Sequence, residues 1–194
     1  MIATLISVYD KRNLEKILKQ ISRLGMEIIA TSGTAKYIGE LGYKAIETSE
    51  YTGFKEAPMG LIKTLHPKIY AGILLNPKIP EHREYMEKYG VKWIKMVIVN
   101  FYPFKEECIK GLEKAVENID IGGVAMVRAA AKAALLYGET IVLTNPDQYD
   151  EVVSEIENYG WIEKKKIIKL AVEAFKKTCE YENEISRYLL EALK

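Results

Sequence analysis

Short β-branched runs alternate with longer stretches of helical period along this chain, an alternation that predicts βαβ units around a largely parallel sheet. Residues 2–8 form the first such run. Leu14, Ile17, Leu18, Ile21 and Leu24 then recur at spacings of three and four, which predicts an amphipathic helix over 11–24, stopped by Gly25. A second strand is expected over 26–30, then a polar turn, Thr31-Ser32-Gly33-Thr34, with a short helix to about 41, then a third strand over 44–48. From 49 to about 78 the period is lost and Gly and Pro are frequent, predicting an irregular excursion of the kind that carries function. A charged helix over 80–89 precedes the clearest buried strand, 96–100. A helix near 112–117, an Ala-rich helix over 124–136 and a strand at 140–143 follow. Asn145-Pro146-Asp147 starts another helix, and 163–193 reads as one long or two consecutive helices. No internal repeat interrupts the pattern. The expectation is one α/β domain over 1–194, a mostly parallel twisted sheet flanked by helices, with its core in about 1–145 and a C-terminal helical segment over about 146–194.

Composition narrows this picture by exclusion. The 194 residues carry 28 Lys plus Arg against 27 Asp plus Glu, so the global positive excess of a nucleic-acid binder is missing. Cys108 and Cys179 stand far apart, which argues against a disulfide framework and suits a reducing compartment. His66 and His82 are the only histidines, so no clustered metal-ligand spacing appears. Neither a signal peptide nor a membrane-spanning run is evident, and a soluble, cytoplasmic protein is expected.

In an open parallel sheet, ligands bind beyond the carboxyl ends of the strands, so the polar residues just after each strand are the candidates. They are Tyr9-Asp10-Lys11, Thr31 to Thr34, Asn100 with Tyr102, and Thr144-Asn145. The Thr31-Ser32-Gly33-Thr34 turn offers hydroxyls and unsatisfied N–H groups at a helix start, suited to a phosphate, although a plain helix cap has the same composition. Lys63-Thr64-Leu65-His66-Pro67-Lys68 brings two cations, a hydroxyl and an imidazole together, as a solvated loop also would. Asp120 before Gly122-Gly123 fits an N-cap, and Arg128 with Lys132, four apart, fits a solvated helix face. Singly, none of these establishes a function.

In order, they resemble one family: the inosine monophosphate (IMP) cyclohydrolase domain that normally forms the amino-terminal part of a bifunctional purine-biosynthesis enzyme. The resemblance runs through Ser7-Val8-Tyr9-Asp10-Lys11, residues 31–36, Tyr51-Thr52-Gly53-Phe54, residues 63–67, residues 100–104, Ile119-Asp120-Ile121-Gly122-Gly123 and residues 128–132, and the tail at 174–181 is similar as well. It covers essentially the whole chain. It implies a methylglyoxal synthase-like fold, no metal, no organic cofactor, and closure of 5-formamidoimidazole-4-carboxamide ribotide (FAICAR) to IMP with loss of water. By the same resemblance, Lys63, Tyr102, Asp120 and Lys132 are the catalytic set. Ser7, Lys11, Thr31, Ser32, Gly33, Thr34, Thr64, Asn100, Gly122 and Gly123 would hold the nucleotide. The family also implies a homodimer, with the C-terminal helical segment as a candidate surface, and a formyltransferase, here a separate protein, to supply the substrate; neither a nucleic acid nor a membrane is an expected partner.

One unbroken helix over 121–132 would hold Asp120 and Lys132 about 18 Å apart at 1.5 Å per residue. Gly122-Gly123 are therefore expected in a loop, with the helix starting later. Departures from the family pattern are Leu61 in Met59-Gly60-Leu61-Ile62, where a cation is usual, Ala133-Ala134 in place of Asn-His, and Tyr9 in place of a serine. Leu61 and Ala133-Ala134 keep a non-catalytic nucleotide-sensing module in view as an alternative. Methylglyoxal synthase is a further alternative, but the carboxylate and histidine pair it needs is not seen.

Overall fold

A computed structural model describes residues 1–58, 62–102, 104, 108–109 and 111–192. Leu61, Pro103 and Leu193, each part of an expectation above, lie outside the described residues.

Five parallel strands form one sheet in the order β3-β2-β1-β4-β5. They are β1 (Ile2–Val8), β2 (Glu27–Ala30), β3 (Ile46–Glu47), β4 (Trp93–Asn100) and β5 (Ile141–Leu143). Leu5 pairs with Ile29 on one side and Val97 on the other, which puts β1 at the centre. Ala3, Thr4, Leu5 and Ile6 are consecutive and all fully buried, so both faces of this strand are covered, as a parallel sheet requires.

Among the described residues the helices are α1 (Leu14–Arg23), α2 (Ser32–Glu40), α3 (Thr48–Thr52), α4 (Pro67–Leu74), α5 (Pro80–Lys88), α6 (Leu112–Glu117), α7 (Ile121–Tyr137), α8 (Tyr149–Tyr159) and α9 (Lys164–Ala192). Leu14, Ile17, Leu18 and Ile21 turn the buried stripe of α1 inward, as their spacing predicts, and α1 packs beside α8. Helices α4 and α9 pack on α7, which lies against β4 and β5. Asn145 starts a 3-10 turn, Pro146–Gln148, with a reciprocal capping box to Gln148, and the chain runs on into α8.

Two expectations are corrected and one left open is resolved. The excursion over 49–78 holds two helices: α3 starts at Thr48, which leaves β3 only two residues, and α4 starts at Pro67 with His66 Nδ1 accepting the Lys68 N–H at 3.1 Å. A Pro at the first helical position after a capping side chain is a start signal that poor periodicity concealed. Residues 163–193 resolve into one 29-residue helix, α9, to Ala192. Finally, Gly122 and Gly123 do not form a loop. Helix α7 begins at Ile121, because the Asp120 carboxylate caps it through the Gly123 N–H at 2.6 Å. A good cap outweighs the low helix propensity of two glycines.

Candidate active site

The strand order reverses direction between β1 and β4, where Val8 pairs with Asn100, and this is the place at which such sheets bind ligands. A cavity of about 350 Å³ opens there. Of the fourteen residues assigned from sequence, thirteen line it: Ser7, Lys11, Thr31, Ser32, Gly33, Thr34, Lys63, Thr64, Asn100, Tyr102, Asp120, Gly122 and Gly123.

One end is built from β1, β2 and the start of α2. Thr31 occupies the N-cap position of α2 but makes no side-chain cap bond. Its hydroxyl instead lies within hydrogen-bonding distance of Ser7 Oγ and Thr34 Oγ1, both at 3.3 Å, with one proton to share between them. Thr34 Oγ1 accepts the Val8 N–H at 3.2 Å and ties the helix to β1. The first N–H groups of α2 are thus left without a capping side chain beside a row of hydroxyls, so the plain side-chain-cap reading fails and the donors an anion would need stay free of a side-chain cap. Lys11 Nζ reaches the Tyr9 carbonyl at 3.4 Å and lies over the Tyr37 ring at 5.8 Å. The Glu56 carboxylate accepts a hydrogen bond from Ser32 Oγ at 2.6 Å, so an internal anion sits at this end.

The other end is built from the N-terminus of α7 and the segment before α4. A Cβ on Gly123 would overlap the Asp120 carboxylate, and one on Gly122 would overlap the Thr64 hydroxyl. The two glycines exist for close approach: one admits the capping carboxylate, the other lets buried Thr64 touch the helix. Burial pushes the Asp120 carboxyl above the usual aspartate range, while the Gly123 N–H and the Lys63 ammonium oppose that shift. Tyr102 leans on Tyr9, ring centroids 5.1 Å apart, and the two are 42% and 46% exposed, so the phenols stay available to the cavity.

Asn100 serves the site chiefly through the backbone. Its Oδ1 accepts the N–H groups of Tyr9 and Asp10 at 2.7 and 2.9 Å, and its Nδ2 donates to the Asp10 carbonyl at 2.8 Å. These bonds fix the turn that carries Lys11.

Lys132 is the exception among the assigned residues. It lies three turns along α7 from Asp120, in a shallow depression with Leu74, Arg128, Leu135 and Phe175, and does not line this cavity. The joint assignment of Asp120 and Lys132 within one chain is therefore withdrawn; rigid helix geometry keeps them apart. Ala133 and Ala134 are fully buried in the core, away from the cavity, so that departure from the family pattern does not touch the site.

Sequence reasoning missed Glu56, and it missed Tyr70 and Tyr181, whose phenols feel the Asp120 charge and are both pushed up to about 12, mainly by burial. Among the described residues no group of His, Cys, Asp and Glu is arranged to hold a metal, and no helix is long and apolar enough to cross a membrane. His66 and His82 are both spent on backbone N–H groups, of Lys68 and Asn76.

A five-stranded parallel sheet with a polar cavity at its switch point sets the class, and the family model for the MGS-like domain matches residues 13–125. The chain belongs to the MGS-like domain family. Residues 130–194 match the model of the AICARFT/IMPCHase bienzyme. Curated relatives include the bifunctional purine biosynthesis protein PurH of Ruminiclostridium cellulolyticum, 42% identical over 192 residues, and that of Aquifex aeolicus, 40% identical over 185. The alignments cover 97% and 94% of this chain but only 37% and 36% of those proteins, so the chain spans little more than a third of their length. A crystal structure of ForH superposes with a TM-score of 0.82 at 29% identity, covering 97% of this chain and 98% of that one. Within its family the chain is thus similar over nearly its whole length to part of the PurH proteins.

Proposed function

We propose that this domain is an IMP cyclohydrolase, closing FAICAR to IMP. The observation that carries the proposal is one cavity with a phosphate-type helix start at one end and Asp120, Lys63 and Tyr102 at the other. The carboxamide nitrogen is a poor nucleophile, so ring closure needs held reactants, a proton acceptor and donors for the oxygen that gains charge. The nitrogen attacks the formyl carbon and its proton goes to Asp120, a better base than a solvated aspartate because its pKa is raised. Lys63 and Tyr102 face the oxygen, which then takes up protons and leaves as water as the ring C=N bond forms. Ser7, Lys11, Thr31, Ser32, Gly33, Thr34 and Thr64 hold the ribotide, Asn100 fixes the turn after β1, and Gly122 and Gly123 give the start of α7 its close approach to Thr64 and the Asp120 carboxylate. These steps need no metal or organic cofactor.

The chain acts as one domain over 1–194, in a cytoplasmic setting, and as a homodimer. Ile121, Arg128, Lys132, Leu135 and Leu136 form an exposed stripe along α7, with apolar ends and a basic middle. Two α7 helices crossing antiparallel on a two-fold axis near Met126 would carry the partner's Lys132 toward Asp120, since the residues are six positions either side of it. A second copy would then restore the four-residue catalytic set. A formyltransferase activity would supply the substrate.

Incubating the purified domain with FAICAR and following IMP by absorbance tests the proposal. Lys63→Ala is expected to lose about a hundredfold in rate, and full activity in that variant would refute its role.

A further inference from the structure

An N-cap residue leaves its own N–H outside the helical ladder, and a capping box normally satisfies it with the side chain at N3. The chain does this at Asn145, whose N–H donates to Gln148 Oε1 at 3.1 Å. It does not do so at Asp120, where N3 is Gly123 and has no side chain, because a Cβ there would overlap the carboxylate. The Asp120 N–H donates instead to the phenol oxygen of Tyr181, 2.9 Å away on α9 and 61 residues along the chain.

That phenol is held firmly. Tyr181 is 4% exposed, and its ring packs on Phe101 at 4.9 Å and against the edge of Phe104 at 6.3 Å, the residues that flank the Tyr102 segment. One buried side chain thus touches the backbone of Asp120 and the base of the strand end that presents Tyr102.

We propose that Tyr181 is a positioning residue for Asp120: its hydroxyl replaces the missing half of the capping box and holds the carboxylate aimed into the cavity, which makes α9 part of the reaction site. Asp120 belongs to the stretch matched by the MGS-like model and Tyr181 to the stretch matched by the bienzyme model, so this bond joins the two. The phenol, pushed up to about 12, stays neutral and accepts the N–H throughout the physiological range.

Tyr181→Phe keeps the ring and removes only the acceptor. On the ring-closure reading, kcat is expected to fall about tenfold with KM changed less than about twofold, because the phosphate end is untouched. The acid limb of the rate profile is expected to move to higher pH, since a loosened carboxylate loses the Gly123 N–H that lowers its pKa, leaving burial opposed by Lys63 alone. The second arm needs no turnover: a carboxyl-carbon NMR titration of Asp120 is expected to move upward in the Phe variant, and the Asp120 amide of the unaltered protein to exchange slowly with solvent. Unchanged kcat and an unchanged Asp120 titration in a folded Tyr181→Phe protein would overturn the inference. Fast exchange of the Asp120 amide would overturn it even if that variant did not fold. If the unaltered protein closes no ring while the titration still moves, the ring-closure reading fails and the positioning of Asp120 by Tyr181 stands.

Discussion

Asp120 Oδ1 accepts the Gly123 N–H at 2.6 Å, so the group proposed as the proton acceptor is also the cap of the helix that frames the cavity. Capping and chemistry pull in different directions here. The helix N-terminus favours a charged carboxylate, while burial makes that charge costly and raises the pKa.

Asp120→Asn is expected to separate the two roles. Asparagine caps nearly as well as aspartate, so the fold survives, while turnover falls at least about a hundredfold. A carboxyl whose pKa is raised on folding stabilises the native state in full only below its unfolded value and loses that contribution as pH rises through the folded value. At neutral pH the variant should therefore melt at or above the temperature of the parent, with the difference shrinking as pH is lowered through the raised folded value of Asp120 and closing by about pH 4. A strongly destabilised variant in a thermal melt at neutral pH would contradict this.

Gly123→Ala and Gly122→Ala are expected to damage different contacts. The first drives a methyl into the Asp120 carboxylate and removes the cap, for a loss of about 1 kcal/mol or more in denaturant unfolding together with most of the activity. The second displaces the Thr64 hydroxyl, and should raise KM for the nucleotide more than it alters stability.

Glu56 stands at the end proposed to take the phosphate and would have to withdraw for it, because two like charges cannot share Ser32. Glu56→Gln is expected to tighten IMP binding about fivefold by calorimetry. Weaker binding would show instead that Glu56 holds Ser32 in place for the ligand.

If a second copy supplies Lys132, Asp120→Asn and Lys132→Ala proteins, each inactive alone, will complement when mixed and allowed to exchange subunits. A heterodimer then rebuilds one intact site of two, and random pairing should recover about a quarter of the parental activity. No recovery, with exchange verified by mass, would exclude the trans arrangement.

Much of the fold was legible because burial on both faces of a parallel sheet writes itself as short apolar runs, as at Ile2–Val8 and Trp93–Asn100. Helix α4 was missed because its start is signalled by His66 and Pro67 and not by a period. The cavity residues were legible as strand-end polar clusters and family motifs. The bond from Tyr181 was not, since nothing in a tail of helical period announces contact with a residue 61 positions earlier. Lys132 was misplaced because a motif records which residue types recur and not how far apart one unbroken helix holds them.

Ring closure itself is the most direct measurement. Mass spectrometry of the nucleotide after incubation of FAICAR with the purified chain should show conversion to a product lighter by one water, fast with the parent and at the uncatalysed rate with Asp120→Asn. Tight binding of FAICAR or IMP with no product above the uncatalysed rate would contradict the account and leave a nucleotide-sensing domain in its place.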